Sequence, residues 1–186
     1  MRPAIFFDRD GTLNEEVGYA GSPEQFHIFP HTAAAVRCAN QAGWAAVLVT
    51  NQAGVARGFY SENEVADLHR ILTQHLAQAH ARLDGIYYCP HHPQGTVVGY
   101  AGECECRKPR AGMLHQAARE LNLDLRASWV IGDRALDVAL ARGVGAGAVL
   151  VRTGCGSAEL ECADPGADHV AEDALAAVRW ILEPRT

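Results

Sequence analysis

Residues Ala4-Ile5-Phe6-Phe7-Asp8-Arg9-Asp10-Gly11-Thr12-Leu13-Asn14 place four consecutive apolar residues directly before two carboxylates two positions apart. An uninterrupted apolar run that ends in polar residues and glycine reads as a strand buried on both faces, the usual condition of a parallel sheet. The same signature recurs over 45–49, 86–88, 129–131 and 148–151. Helical periodicity fills the intervals over 32–42, 62–82, 111–121, 136–142 and 173–182, and the second of these follows the capping box Ser61-x-x-Glu64. Strands alternating with helices predict an α/β fold with a doubly wound, mainly parallel sheet, whose ligands sit at the carboxyl ends of the strands. Connections 14–30 and 89–110 are longer than a simple link needs, and loops of that length are usually functional or tied down.

The 186 residues read as one domain, 1–186, with neither repeat nor linker. A net charge of −6 is the wrong sign for a general nucleic-acid or anionic-membrane binder. No apolar run reaches the roughly 18 residues of a membrane span, and the first is too short for a signal peptide, so a cytoplasmic protein is expected. Six cysteines would then stay reduced, which turns attention to metal ligation or burial. Nothing in the pattern marks a dimer surface, so a monomer is the expectation.

Four strand ends carry the chemistry. Asp8 and Asp10, either side of a turn that Gly11 permits, can divide a nucleophile's work from an acid/base's or share a hard cation. By itself a D-x-D reads equally well as a polar turn. Thr50-Asn51-Gln52 follows the second run, Arg107-Lys108-Pro109 the long third connection, and Asp133-Arg134-Ala135-Leu136-Asp137 the fourth run. Asp133 reads as a ligand, while Asp137 reads as a group that orients neighbours or favours a helix N-terminus. The Gly143-Val144-Gly145-Ala146-Gly147 stretch lacks the G-x-G-x-x-G spacing and follows a helix, so it is no nucleotide loop.

Within the third connection stand Cys89-Pro90-His91-His92 and Cys104-Glu105-Cys106. Three thiolates and one imidazole form a closed tetrahedral set suited to structural Zn²⁺, and a staple over 89–106 explains how so long a loop stays ordered. Spacing does not decide between His91 and His92. Cys38 reads as core, and Cys155 and Cys162 as reduced residues of a glycine-rich loop. His27, His31, His69, His75, His80, His115 and His169 read as surface or capping residues.

An acid pair, a hydroxyl, a lysine and a further acid in that order resemble the haloacid dehalogenase superfamily. The resemblance implies phosphoryl transfer with Asp8 as nucleophile and Asp10 as acid/base, the latter protonated when the cycle starts. Thr50 and Lys108 would hold the phosphoryl oxygens. Catalytic Mg²⁺ would lie on the Asp8 carboxylate, the Asp10 main chain and Asp133, with Arg134 contributing through main chain or water. The words Phe7-Asp8-Arg9-Asp10-Gly11-Thr12, Val17-Gly18-Tyr19, Ala56-Arg57-Gly58 and Cys104-Glu105-Cys106-Arg107-Lys108-Pro109 narrow the likeness to the heptose-bisphosphate 7-phosphatases. That family implies His91 as the fourth zinc ligand and substrate contacts at Glu16, Val17, Gly18, Tyr19, Thr50, Asn51, Gln52, Ala53, Arg107 and Lys108. It implies a small-molecule sugar bisphosphate as substrate, losing its C7 phosphate on the route to a nucleotide-activated heptose for lipopolysaccharide core or S-layer, and short inserts in place of a cap domain.

Two other readings compete. A histidinol-phosphate phosphatase shares the catalytic words and a similar zinc loop, and a non-catalytic Zn/Mg-binding module would use the same ligands without turnover. Residues 154–168 match no word of the family.

Overall fold

The computed structural model describes residues 1–162 and 165–184. Six strands form one all-parallel sheet: β1 (Ala4–Phe7), β2 (Ala45–Asn51), β3 (Gly85–Cys89), β4 (Trp129–Gly132), β5 (Gly147–Val151) and β6 (His169–Ala171). Their spatial order is β3-β2-β1-β4-β5-β6. From β1 the chain builds outward through β2 to β3, then returns to the other side of β1 with β4. The order therefore reverses between β1 and β4, which opens a crevice at their carboxyl ends. There Asp8 N donates to Ile131 O at 2.9 Å.

Alternation along the strands divides the interior in two. Ile5, Phe7, Leu48, Ile131 and Val149 face one core together with helices α1 (Thr32–Gln41), α3 (Glu62–Gln78) and α7 (Ala174–Leu182). Phe6, Val47, Val49, Val130 and Leu150 face the other with α4 (Gly112–Leu121) and α5 (Ala135–Val144). The remaining helices, α2 (Ala53–Arg57) and α6 (Gly156–Cys162), are short and follow strands β2 and β5.

The five anticipated strands and five anticipated helices are present, with departures of two kinds. Helix α3 begins at its capping box, with Ser61 Oγ accepting from Glu64 N, but it ends at Gln78 and not near residue 82. The chain turns at His80, whose φ is 55°. The elements α2, α6 and β6, each of three to seven residues, were not anticipated. Residues 163 and 164 of the unmatched 154–168 segment lie outside the described residues. Among the described residues no helix is long and apolar enough to cross a membrane.

Candidate active site

All four strand-end motifs reach the crevice. Lys108, almost fully buried, extends Nζ to Asp8 Oδ1 at 2.7 Å, Asp137 Oδ1 at 2.6 Å and Val49 O at 3.2 Å, which uses its three donors. The main chain of residue 108 is fixed to β2 by Asn51, whose Oδ1 accepts from Lys108 N at 3.0 Å and whose Nδ2 donates to Lys108 O at 3.3 Å. Asp133 is fully buried, and its Oδ2 accepts from Cys155 N at 2.7 Å. A Cβ at Gly154, where φ is 58°, would fall 2.2 Å from that oxygen, so only glycine lets the loop after β5 close over the carboxylate. Asp137 takes the orienting role: besides Lys108, its Oδ2 accepts from Arg134 N at 3.2 Å and caps α5.

Ligand oxygens of Asp8, Asp133 and Asp137 converge within 4.8 Å of one another, with one lysine among them. Burial pushes Asp8 up to about 8, and repulsion from Asp137 and Asp133 adds to it while Lys108 opposes it. Burial also raises Asp133, to about 7, with Asp137 adding to it and the Cys155 N–H, Arg134 and Lys108 opposing. Burial opposes the charge on Lys108, but Asp137 and Asp8 hold it well above the usual lysine range. Fully ionised, the three carboxylates would carry more negative charge than the lysine balances, which is why burial and their mutual repulsion hold Asp8 and Asp133 so high.

Asp10 has a different environment. Its burial would raise it, but Arg9, Asn14 and Gln52 together hold the carboxyl below the usual carboxylate range. Arg9 forks onto both oxygens at 3.0 Å, Asn14 Nδ2 donates to Oδ1 at 2.9 Å, and Gln52 Nε2 donates to Oδ2 at 3.0 Å. The expectation that Asp10 starts protonated thus meets a resting carboxylate, and Arg9 is the main reason. The Gln52 amide also donates to Thr50 Oγ1 at 2.9 Å, which links the hydroxyl to the same network.

Asp8, Asp10, Glu16, Gly18, Tyr19, Thr50, Asn51, Ala53, Arg107 and Lys108 line a cavity of about 260 Å³. Of the anticipated substrate contacts, Val17 and Gln52 are not on its wall: Val17 is exposed, and Gln52 is buried behind it. Tyr60, Arg134 and Leu136 also line the cavity and were not anticipated as substrate contacts. Arg134 Nη2 pairs with Glu16 Oε2 at 2.9 Å, and Glu16 Oε1 accepts from Gly18 N at 2.6 Å. Two partly exposed arginines therefore line a cavity whose floor holds the carboxylates and the buried Lys108.

Beside it, Cys89, His91, Cys104 and Cys106 converge. Sulfur–sulfur separations are 3.1 to 3.4 Å, and His91 Nδ1 lies 3.5 Å from Cys106 Sγ and 3.8 Å from Cys89 Sγ. These approach the edge of about 3.8 Å that a tetrahedron with Zn–S near 2.3 Å requires. His92 points elsewhere: its Nδ1 accepts from Gln94 N at 3.0 Å and its Nε2 lies 3.4 Å from Arg57 Nη2. The loop reaches the cavity through His91 O, which accepts from Arg107 Nη1 at 3.1 Å.

His69 corrects its surface reading. It is buried on the inner stripe of α3 with Val65, Leu68, Leu72 and Leu76, and its Nε2 lies 3.5 Å from Arg9 Nη1. Burial and Arg9 push it down to about 3. Cys38 packs on the core as a half-buried thiol, and Cys155 and Cys162 are free.

A family model described as HAD-hydrolase-like matches residues 105–177. The D-glycero-D-manno-heptose-1,7-bisphosphate 7-phosphatase of Thermosynechococcus vestitus is 47% identical over 99% of both chains. The D-glycero-beta-D-manno-heptose-1,7-bisphosphate 7-phosphatase of Yersinia pestis is 47% identical over 82% of this chain and 81% of its own. Among solved structures, the D,D-heptose 1,7-bisphosphate phosphatase of B. bronchiseptica, complexed with magnesium and phosphate, superposes with a TM-score of 0.87 at 34% identity, covering 97% of this chain and 98% of that one.

Proposed function

The chain belongs to the heptose-1,7-bisphosphate 7-phosphatase family of HAD-like phosphoric monoester hydrolases, and from that membership we propose that it removes the C7 phosphate of D-glycero-D-manno-heptose 1,7-bisphosphate through an aspartyl-phosphate on Asp8. The observation that carries the proposal is the seat of Asp8 at the cavity floor, one oxygen held by Lys108 at 2.7 Å and Thr50 on the same wall. A carboxylate so oriented presents its other oxygen for in-line attack, and Lys108 offsets the repulsion between two anions.

The donor set fits a divalent cation. Three buried carboxylates share one lysine, and Asp133 Oδ1 is buried without a hydrogen-bond partner. Asp8, Asp133 and the Asp10 main chain would hold Mg²⁺, with Arg134 next to the shell; Asp137 is already engaged by Lys108. When bound, the ion supplies charge neutralisation at the transferring phosphoryl group.

Asp10 would give a proton to the leaving sugar oxygen and then take one from the attacking water. The resting carboxylate is ready for the second duty and must gain a proton for the first. Arg107 and Arg134 at the mouth would receive the C1 phosphate, Arg107 from a position set by the cysteine loop. Zn²⁺ on Cys89, His91, Cys104 and Cys106 would be structural, since all four positions are filled by protein. The product is the sugar monophosphate that nucleotide-activated heptose synthesis for lipopolysaccharide core or S-layer consumes.

Histidinol phosphate needs a carboxylate free to meet its ammonium. Glu16 is the candidate, but Arg134 and Gly18 N already occupy it, which favours the bisphosphate. A non-catalytic module would leave Asp8 without work. Asp8→Asn is the test: turnover should fall at least about 10³-fold with the fold intact, and wild-type turnover would exclude attack by Asp8.

A further inference from the structure

We infer that Arg9 is a positioning residue for Asp10, setting the orientation in which its carboxylate takes the proton from the water that breaks the aspartyl-phosphate. The inference rests on the roles proposed above for Asp8 and Asp10.

Arg9 heads the large, fully buried side chains of the described residues. Burying a guanidinium is costly unless its donors are satisfied, and here two of them fork onto a single carboxylate while the others meet buried neighbours. Nε donates to Asp10 Oδ1 and Nη2 to Asp10 Oδ2, both at 3.0 Å, a fork that fixes the carboxylate plane and not merely its charge. Nη2 also donates to Gln52 Oε1 at 2.9 Å, and Nη1 lies 3.5 Å from His69 Nε2. The guanidinium carbon sits 5.4 Å from the centroid of the Phe26 ring. The neighbours are fixed in turn, because Tyr60 Oη donates to Gln52 Oε1 at 2.8 Å and His69 belongs to the buried stripe of α3. Arg9 is therefore held by partners at each of its nitrogens, and it holds the carboxylate in turn, although Asp10 still lines the cavity.

The consequence differs between the two half-reactions. In the first, an Asp8 oxygen bonds to phosphorus, the bond from phosphorus to the leaving oxygen breaks, and a sugar alkoxide must collect a proton from Asp10. A nitrophenolate leaves without one. In the second, water bonds to phosphorus, its proton passes to Asp10, and the bond to the Asp8 oxygen breaks to release phosphate. With an aryl phosphate, only the second half-reaction needs an oriented Asp10. Lysine at position 9 would keep the positive charge and lose the fork.

The test is pre-steady-state hydrolysis of p-nitrophenyl phosphate with Mg²⁺, in wild type, Arg9→Lys, Arg9→Met, Asp10→Asn and Asp8→Asn, each checked for native melting. Arg9→Lys, Arg9→Met and Asp10→Asn should release one nitrophenolate per enzyme in a burst, then turn over about 10²-fold below wild type. Wild type should show no burst, and Asp8→Asn neither burst nor turnover. Arg9→Lys guards against a Met variant that fails to fold. An Arg9→Lys enzyme at wild-type rate, or slow without a burst while Asp10→Asn bursts, would overturn the inference alone. Absence of a burst in Asp10→Asn, or a burst in Asp8→Asn, would bring down the underlying roles of Asp10 and Asp8, and the inference with them.

Discussion

At Arg107 and His69 the surroundings of a single side chain decide what it does. Arg107 lines the cavity while its Nη1 donates to the carbonyl of His91, so its donors are aimed before substrate arrives. A charge-assisted contact of this kind is worth about 1.5–3 kcal/mol. Arg107→Ala should therefore lower kcat/KM for a sugar bisphosphate roughly 10- to 100-fold, and leave a monophosphate nearly unaffected; equal losses on both substrates would contradict a role at the second phosphate. His69, held to about 3 by burial and Arg9, stays neutral in the folded protein where the unfolded chain would be protonated. The unfolded state thus binds more protons between pH 6.5 and about 3, and stability falls with falling pH there by up to about 1.4 kcal/mol per unit. His69→Gln should remove that slope from urea unfolding curves between pH 6.5 and 4, and an unchanged slope would count against a neutral buried His69. Asp8, Thr50, Lys108 and Asp133 were legible because each follows an apolar run or its connection, where the sheet sets the direction. Arg9 was not, since a charged residue between two acids reads as solvated until the packing of Phe26, Gln52 and His69 around it is known. His69 itself was within reach, because its spacing from Val65, Leu68, Leu72 and Leu76 is that of a buried helical stripe.

Elements were legible in proportion to their length. The strands of four to seven residues and the helices of nine or more stood out, whereas β6 and the short helices α2 and α6 did not supply enough residues for a period to repeat. The end of α3 was misjudged because the left-handed residue that turns the chain is His80, not the glycine that usually signals a stop. The cysteine loop is the element whose function is most open to direct trial. It meets α3 through Tyr100, which with Tyr88 donates to the Glu62 carboxylate, and it meets the cavity through Arg107. On the proposed structural role for Zn²⁺, its removal should lower the melting temperature and raise KM for the bisphosphate, while the Mg²⁺ dependence proposed for the Asp8–Asp133 cluster stays unchanged. Full activity and an unaltered melting temperature in protein verified as zinc-free would rule out a structural ion. The loop after β5 carries the opposite lesson: Gly154 and Cys155 close over Asp133, yet nothing in the residues 154–168 advertised it, since a backbone N–H leaves no mark on sequence.

At the scale of the molecule, the reversal of strand order between β1 and β4 brings distant segments to one crevice. The resulting site is concave, has buried carboxylates at its floor and carries Arg107 and Arg134 at its rim. That distribution of charge suits a substrate with one phosphate at the floor and a second at the mouth, and disfavours a cationic tail. The measurement that tests this most directly is the rate of phosphate release with Mg²⁺ for both anomers of D-glycero-D-manno-heptose 1,7-bisphosphate and for histidinol phosphate, compared as kcat/KM. The ratio reports differential stabilisation of the transition state and is independent of how tightly either substrate rests in the site. One heptose bisphosphate anomer should exceed histidinol phosphate by about 10²-fold or more, as expected when the rim arginines meet a second phosphate in one substrate and an ammonium in the other. Equal or greater kcat/KM for histidinol phosphate would contradict the account.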